Sequence, residues 1–199
     1  MNDDVATDIL HATRRALCKH GYANLTLQDI AAETDTSKAM IHYYYDSKAD
    51  LFTDFLEFLY EQYTDRIESV SGDSPAEHLR SLLDVLLTTA DTDEGEEFRT
   101  AMLEVSAQAP YDDGIRTRLA TFDELLYEEL RTIIANGIDE GAFDERIDPD
   151  LIAEFLTAAI NGAHTRHVAA SASMDQVAEA VERYVETRLV VTGASEEVH

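Results

Sequence analysis

The sequence predicts an all-α protein of about nine helices, arranged as two domains. Apolar residues recur at intervals of three and four through most of the 199 positions, which is the spacing of one helix face. Ser, Thr and Asp residues that suit helix starts separate the periodic segments, and glycines follow several of them. Alternating apolar and polar runs, which would indicate strands, are scarce. We therefore expect helices joined by short connections.

The first three helices are predicted from local start and stop signals. Gly21 ends the first helix, since glycine suits the position just past a helix end. Thr26 and Asp29, three apart, predict a capping box for the second helix, and the third begins after Ser37. Asp91 to Gly95 is predicted as a polar loop before the sixth helix. The nine predicted helices cover about residues 4–20, 27–33, 38–43, 48–70, 75–89, 96–107, 113–136, 149–169 and 174–192.

The later helices share a side-chain cap at their predicted starts. Such a cap accepts a backbone N–H that the first helical turn leaves unpaired. Proline suits the first helical position, because its missing N–H has no partner there in any case. The predicted caps are Ser47 with Asp50, Ser74 before Pro75, Asp148 before Pro149, and Ser173.

The charge is strongly acidic and unevenly distributed. The chain has 41 acidic and 15 basic residues, a net charge of −26. Residues 1–50 hold 8 acidic and 5 basic residues (net −3), which leaves 33 and 10 (net −23) for residues 51–199. The lysines, Lys19, Lys38 and Lys48, all lie in the first segment. The net charge should repel DNA, but the N-terminal segment keeps compact cations that the rest of the chain avoids.

Two interpretations of the acidity compete. Disorder is one, but the periodic pattern and the 45% of hydrophobic residues argue against it. Adaptation to molar salt is the other, because salt screens the repulsion between like charges. Scarce lysine with abundant Asp and Glu resembles the proteins of halophilic archaea, and we expect such an origin.

The composition also narrows the class of protein. No apolar stretch reaches the ~20 residues of a transmembrane helix, and the acidic N-terminus is not typical of a secretion signal. Cys18 is the single cysteine and forms no internal disulfide, so a cytoplasmic location is expected. There is no glycine-rich phosphate loop, nucleophile motif or zinc-spaced cluster. We therefore expect neither an enzyme nor a bound cofactor.

The second and third predicted helices form a helix-turn-helix. Residues 34–36 join them, and in this motif the second helix enters the major groove of DNA. Ile41 and Tyr45, four apart, supply one buried edge of the third helix. Lys38 and His42 form an outward edge, and Met40 with Tyr44 forms a second outward edge.

A set of residues between Ile9 and Leu51 carries a multi-point pattern. It comprises Gly21, Thr26, Ile30-Ala31, Ser37-Lys38-Ala39, Ile41-His42-Tyr43-Tyr44-Tyr45 and Ser47-Lys48-Ala49-Asp50-Leu51. This pattern resembles the N-terminal domain of the tetracycline-repressor (TetR) family, and a long fourth helix followed by five more is similar to the family layout. The resemblance implies a DNA-binding domain at residues 1–50 and a ligand-binding and dimerisation domain at 51–199. It further implies DNA contacts by Leu27, Gln28, Ser37, Lys38, Ala39, Met40, His42, Tyr43, Tyr44 and Lys48.

Several of these positions have a structural alternative or depart from the family pattern. Tyr43 and Met40 are either DNA contacts or packed side chains, and Lys48 is either a phosphate contact or a solvated lysine at a helix start. Asp35 stands where the family has a turn glycine, often with positive φ, which Asp tolerates better than most residues. His42 replaces a tyrosine.

Dimerisation is expected through the eighth and ninth helices. One helix-turn-helix buries too little surface for a specific site, so the family binds near-palindromic double-stranded DNA as a homodimer. The alternative for these apolar faces is ordinary core of one chain. The expected dimer residues are Ile152, Phe155, Leu156, Ala159, Ile160, Ala163, Val177, Val181, Tyr184 and Val185.

A small-molecule effector is implied by the resemblance, and an apolar lining suits an apolar or amphipathic molecule. His164 and His167 have a metal-like spacing but no clear third ligand, so no metal site is expected. Residues 103–110, 141–144 and 148–149 look like the C-terminal type of betaine-regulator-like repressors. The leading function is a ligand-controlled repressor, and the alternative is a helical interaction module without DNA binding. The expected pocket residues are Leu83, Leu86, Phe98, Met102, Val105, Phe122, Leu126, Phe155, Asn161 and His164.

Overall fold

The computed structural model describes residues 2–87 and 93–191, with side chains from residue 5 and, after the gap, from residue 95. This part of the chain is helical, as predicted, and its one extended pairing is an isolated bridge between Phe143 and Val190. None of its helices is both long and apolar enough to cross a membrane. The α-helices are α1 (Asn2–Asn24), α2 (Leu27–Ala32), α3 (Lys38–Tyr44), α4 (Lys48–Glu68), α5 (Pro75–Leu87), α6 (Asp93–Ser106), α7 (Asp113–Asp139), α8 (Pro149–Ala170) and α9 (Met174–Tyr184).

The predicted caps are present at the helix starts. Thr26 and Asp29 form a reciprocal capping box on α2. Ser37 accepts the N–H of Met40 on α3, and Ser173 accepts that of Gln176 on α9. These bonds link residues three apart, so the sequence alone predicts them. The remaining caps behave alike: Ser47 accepts from Asp50, Ser74 from Glu77, and Asp148 from Asp150 and Leu151.

Two local predictions were wrong. Residues 93–95 begin α6 instead of belonging to a loop, while 91–92 lie outside the described residues. The α-helical part of the ninth helix ends at Tyr184, and a π-helical turn, Val185–Leu189, follows it. The helix ends at Leu189 because Val190 is extended and pairs with Phe143. Asp35, which stands where the family has a turn glycine, does not use the positive φ that Asp tolerates, since among the described non-glycine residues only Ser171 has positive φ. The turn is instead supported by Thr34, whose hydroxyl accepts the N–H of Thr36 at 3.2 Å.

The N-terminal compact unit comprises residues 1–65 and 90–123. Its core joins α1, α2, α3 and the first turns of α4 with α6 and the start of α7. The unit therefore extends beyond residues 1–50, and the functional division at residue 50 stays a prediction. The largest fully buried side chains in it are Ile9, Leu17, Ile30, Ile41, Leu51, Phe52, Phe55 and Leu56.

The C-terminal compact unit comprises residues 66–89 and 124–199. In it α5 packs against α8 and α9, which also contact each other. Gly137 of α7 has no Cβ, and one placed there would lie 2.2 Å from the ring of the buried Phe143. Residues 142–144 lie beside residues 189–191, where Asp144 donates its N–H to the Leu189 carbonyl at 3.0 Å.

Candidate nucleic-acid interface

The end of α2 is held against α1 by two basic side chains. Arg15 Nη2 donates to the Glu33 carbonyl at 2.7 Å, which satisfies an unpaired carbonyl at the helix end. Lys19 Nζ pairs with the Glu33 carboxylate at 2.8 Å. These contacts join residues 18 and 14 apart in sequence, so no local pattern predicts them. They fix α2 on α1 and so set the position from which the turn leads to α3.

One side of α3 is buried, as predicted. Ile41 is fully buried, and Tyr45 at the helix end is 4% exposed. Burial raises the pKa of Tyr45 to about 12, and the carboxylates of Asp54 and Asp50 contribute to this shift. Tyr45 is therefore a neutral core side chain at physiological pH, and Ile41 anchors the middle of the helix.

The opposite side of α3 faces solvent. Tyr43 is 78% exposed and Met40 is 44% exposed, so neither is a packed core residue. Lys38, Ala39 and His42 are also exposed. This set of five residues is called the α3 face below. It combines a cation, an imidazole, a phenol and two apolar groups on one short helix, a mixture that suits phosphates, base edges and thymine methyl groups.

The other predicted contact residues lie beside this face. Tyr44 is half-buried, and its ring packs edge-on against Tyr43 with centroids 5.5 Å apart. Gln28 is exposed, whereas Leu27 is half-buried against the core. Ser37 is exposed, but its hydroxyl accepts the Met40 N–H at 3.2 Å.

Lys48 is half-buried, and its ammonium group contacts Tyr22. Its Nζ donates to the Tyr22 carbonyl and lies 4.1 Å from the centroid of the Tyr22 ring. Burial lowers the pKa of Lys48. On the other side of Tyr22, the backbone N–H donates to Glu104 Oε2 of α6 at 2.7 Å. Sequence reasoning missed both Tyr22 and Glu104, because the latter contact joins residues 82 apart.

The predicted pocket residues fall into both compact units. In the N-terminal unit, Phe98, Met102 and Phe122 pack around the core that contains the buried Val105. In the C-terminal unit, Leu83, Leu86 and Leu126 are buried, Asn161 is exposed, and Phe155 is 47% exposed. His164 Nε2 donates to the Leu86 carbonyl at 2.9 Å.

The predicted dimer residues divide by burial. Half of them are already buried within the single chain and offer little area to a partner: Leu156, Ile160, Ala163, Val181 and Val185. The others keep accessible surface: Ile152, Phe155, Ala159, Val177 and Tyr184. Phe155 and Tyr184 pack with ring centroids 5.0 Å apart, and the nearby Leu151 is 67% exposed.

Two short helices joined by a turn, with an anchored edge and a mixed polar face on the second, define a DNA-binding protein of the helix-turn-helix class. Residues 9–55 match the bacterial regulatory proteins of the tetR family, and residues 75–190 match the C-terminal domain of BetI-type transcriptional repressors. The chain belongs to the TetR family of transcriptional regulators, and the resemblance inferred from the sequence is confirmed. It is a DNA-binding transcriptional regulator.

Relatives of this chain match it over most of its length. A TetR transcription regulator from Haloarcula marismortui is 37% identical, with a TM-score of 0.87 over 94% of this chain and 99% of that one. A regulator from Saccharomonospora viridis, solved in complex with choline, is 25% identical, with a TM-score of 0.81 over 95% and 99%. The transcriptional repressor AcnR of Corynebacterium efficiens is 25% identical over 175 residues, which is 88% of this chain and 87% of that one.

Proposed function

We propose that the protein is a homodimeric repressor that binds a near-palindromic duplex through the α3 face and leaves it when a small molecule binds. The single observation that carries this proposal is the exposure of Lys38, Met40, His42 and Tyr43 above the buried Ile41. The major groove is about 12 Å wide and admits one helix. An α3 helix docked there would direct these side chains at base edges and at the flanking phosphates.

A homodimer is supported by exposed apolar side chains on α8. Leu151 and Phe155 lie four apart, so they share one helix face, and both are exposed. Contiguous exposed apolar patches mark interaction surfaces, and these two side chains would form part of one. A two-fold dimer would place two α3 helices on successive major grooves about 34–36 Å apart. The buried residues Leu156, Ile160 and Ala163 would support that face from within the chain.

The proposed effector is small and has an apolar or cationic part. Phe122, one of the expected pocket residues, packs against Tyr60 and Tyr63 with ring centroids 5.4 and 5.6 Å apart. Aromatic faces attract quaternary ammonium groups, and the regulator from Saccharomonospora viridis was solved with choline. Choline is therefore the first effector to test. The assignment of the expected residues to a pocket stays a proposal.

The DNA-binding proposal is tested by selecting duplexes from a random pool with the full-length protein in molar KCl. Affinity for the selected duplex is then compared for Tyr43→Ala and Tyr111→Ala. Tyr111 is the matched control, because it is 88% exposed but lies outside the helix-turn-helix. We expect Tyr43→Ala to lose at least about tenfold in affinity, or ~1.4 kcal/mol, and Tyr111→Ala to match the wild type. Failure to enrich any duplex, or equal effects of the two variants, would contradict the proposal.

The effector proposal is tested by titrating choline, glycine betaine and tetramethylammonium into the protein–duplex complex. A ligand that binds the free form more tightly must lower the fraction of duplex bound, by linkage. Release by choline but not by equal ionic strength of KCl is the expected result. If none of the three changes the bound fraction, the effector belongs to another chemical class.

A further inference from the structure

Tyr22 is held on both sides of its backbone by side chains from two other helices. Its N–H donates to Glu104 Oε2 of α6 at 2.7 Å, and its carbonyl accepts from Lys48 Nζ of α4. We call these three residues the Tyr22 cluster. All of them lie in the N-terminal compact unit. Both bonds involve a charged side chain, which makes them stronger than bonds between neutral groups.

The aromatic ring of Tyr22 adds a second contact with α4. Lys48 Nζ is 4.1 Å from its centroid, within the ~6 Å range of a cation–π interaction. The ring also packs edge-on against the buried Phe52, with centroids 4.8 Å apart and planes at 89°. The lysine is therefore enclosed by a carbonyl and an aromatic face, and its lowered pKa is consistent with that burial.

Gly21 makes room for the carboxylate in this cluster. A Cβ at that position would lie 2.7 Å from Glu104 Oε2 and 2.9 Å from Oε1. The bare backbone therefore lets Glu104 approach the Tyr22 N–H. Since φ at Gly21 is 68° and ψ is 162°, the chain also turns here in a way that only glycine adopts readily.

The position of the cluster in the chain gives it a mechanical consequence. Tyr22 precedes α2 and Lys48 follows α3, so the contact between them closes the segment that contains the whole helix-turn-helix. Closing a segment of 26 residues removes conformations in which its two ends separate. The orientation of α3 relative to the start of α4 then depends on this contact. Glu104 ties the same point to α6.

We propose that Lys48 and Glu104 are positioning residues for DNA binding, and that Lys48 acts inside the protein instead of on a DNA phosphate. This inference rests on the proposed operator binding through the α3 face. It changes the role that the sequence predicts for Lys48, from a cation that meets the backbone of DNA to one that closes the helix-turn-helix segment. Glu104 acts through the backbone of Tyr22 and touches no DNA.

The salt dependence of binding separates the two roles of a lysine. A lysine that neutralises a phosphate releases a counterion, so its loss reduces the slope of log K against log salt by about 0.9. A positioning lysine lowers affinity without changing that slope. Lys48→Met keeps the length of the apolar stem but removes the charge. Lys38→Met is the matched control, because Lys38 is exposed on the α3 face.

The affinity experiment uses the full-length protein and the duplex that it selects from a random pool, titrated from about 0.2 to 2 M KCl. We expect Lys48→Met to lose at least about tenfold in affinity at every salt concentration with the wild-type slope. Lys38→Met is expected to reduce the slope by about one. Lys48→Arg should restore most of the affinity, because arginine also donates to a carbonyl and stacks on aromatic rings. A slope lowered by Lys48→Met as by Lys38→Met, or an unchanged affinity, would overturn the inference.

A second measurement needs no DNA and tests Glu104. Hydrogen exchange at the Tyr22 amide is compared in the wild type, Glu104→Ala and Glu97→Ala. Glu97 is an exposed glutamate on the same helix, α6, so it is the matched control. We expect exchange to accelerate at least about tenfold in Glu104→Ala only, since the amide loses its acceptor. Glu104→Ala should also lower the affinity of the protein for the selected duplex.

These two measurements also distinguish the inference from the proposed function. If no duplex is enriched, operator binding fails, while the exchange rate of Tyr22 still reports whether Glu104 holds this amide. If duplexes are enriched but Glu104→Ala leaves both exchange and affinity unchanged, the positioning role of Glu104 is wrong. The double variant of Lys48 and Glu104 is expected to lose less affinity than the product of the single losses, because both side chains hold one residue.

Discussion

Gly21→Ala combines two structural costs that can be separated by experiment. At φ 68° and ψ 162°, Gly21 occupies a region almost restricted to glycine, where another residue costs about 1–3 kcal/mol. The new Cβ would also lie 2.7 Å from Glu104 Oε2, which displaces the carboxylate from the Tyr22 N–H. Loss of that hydrogen bond, whose acceptor is a carboxylate, adds about 1.5–3 kcal/mol. We expect the free energy of unfolding to fall by about 2.5–6 kcal/mol in total.

Gly141→Ala is the matched control for backbone strain alone. Gly141 also has positive φ, at 72°, but a Cβ there meets nothing within 4 Å. Its substitution should cost only about 1–2 kcal/mol. The assay is urea unfolding at constant molar KCl, followed by circular dichroism. Gly21→Ala is measured in both the wild type and the Glu104→Ala background, where the cost should shrink to the strain. A fully stable Gly21→Ala, or one with the same cost in both backgrounds, would refute the reasoning.

Four further outcomes are expected. Ser37→Ala removes the cap of α3 and should cost about 1 kcal/mol; it should weaken operator binding more than Ser74→Ala, an equivalent cap on α5. Phe155→Asp should shift the dimer to monomer in sedimentation without unfolding it, whereas Val191→Asp, at a similarly exposed position, should not. The pKa of Asp29 is lowered because its carboxylate accepts hydrogen bonds from the Thr26 hydroxyl and backbone N–H. The ionised carboxylate therefore stabilises the fold fully above the ordinary pKa of 3.8, and this stabilisation is lost as the pH falls below that value through the lower pKa of the folded state. Acid unfolding of Asp29→Asn should depend less steeply on pH, and an unchanged pH dependence would contradict this. Stability should rise with KCl, because the net charge of −26 repels itself at low salt; equal stability at low and molar KCl would remove the interpretation as salt adaptation.

Helix positions and caps were predictable because their physics is local. The bond from the Met40 N–H to Ser37, like the box of Thr26 and Asp29, joins residues three apart and is readable from residue type and spacing. The same holds for the burial of Ile41 and Tyr45, which follows from the helical period. Exposure of Tyr43 was left open, since an aromatic residue suits either a core or a contact surface.

The errors occurred where distant segments overrode local preference. The ninth helix was expected to continue to about residue 192, but Val190 leaves the helix to pair with Phe143 in the chain segment before α8. At the turn, Asp35 does not adopt positive φ, and the conformation is supported by Thr34 and by the anchoring of Glu33 on Arg15. Each outcome depends on a partner that the neighbouring sequence does not specify.

The amino-acid sequence by itself determined the helical class, the family, and the identity of the helix that carries the α3 face, because periodicity and capping act over a few residues. Only the tertiary structure decided which group the ammonium of Lys48 contacts. Lys48 donates to the carbonyl of Tyr22, 26 residues away in the sequence. The backbone N–H of Tyr22 in turn donates to the carboxylate of Glu104, 82 residues from Tyr22. Hydrogen bonds between distant residues form only once the chain has folded, so no spacing in the sequence reports them.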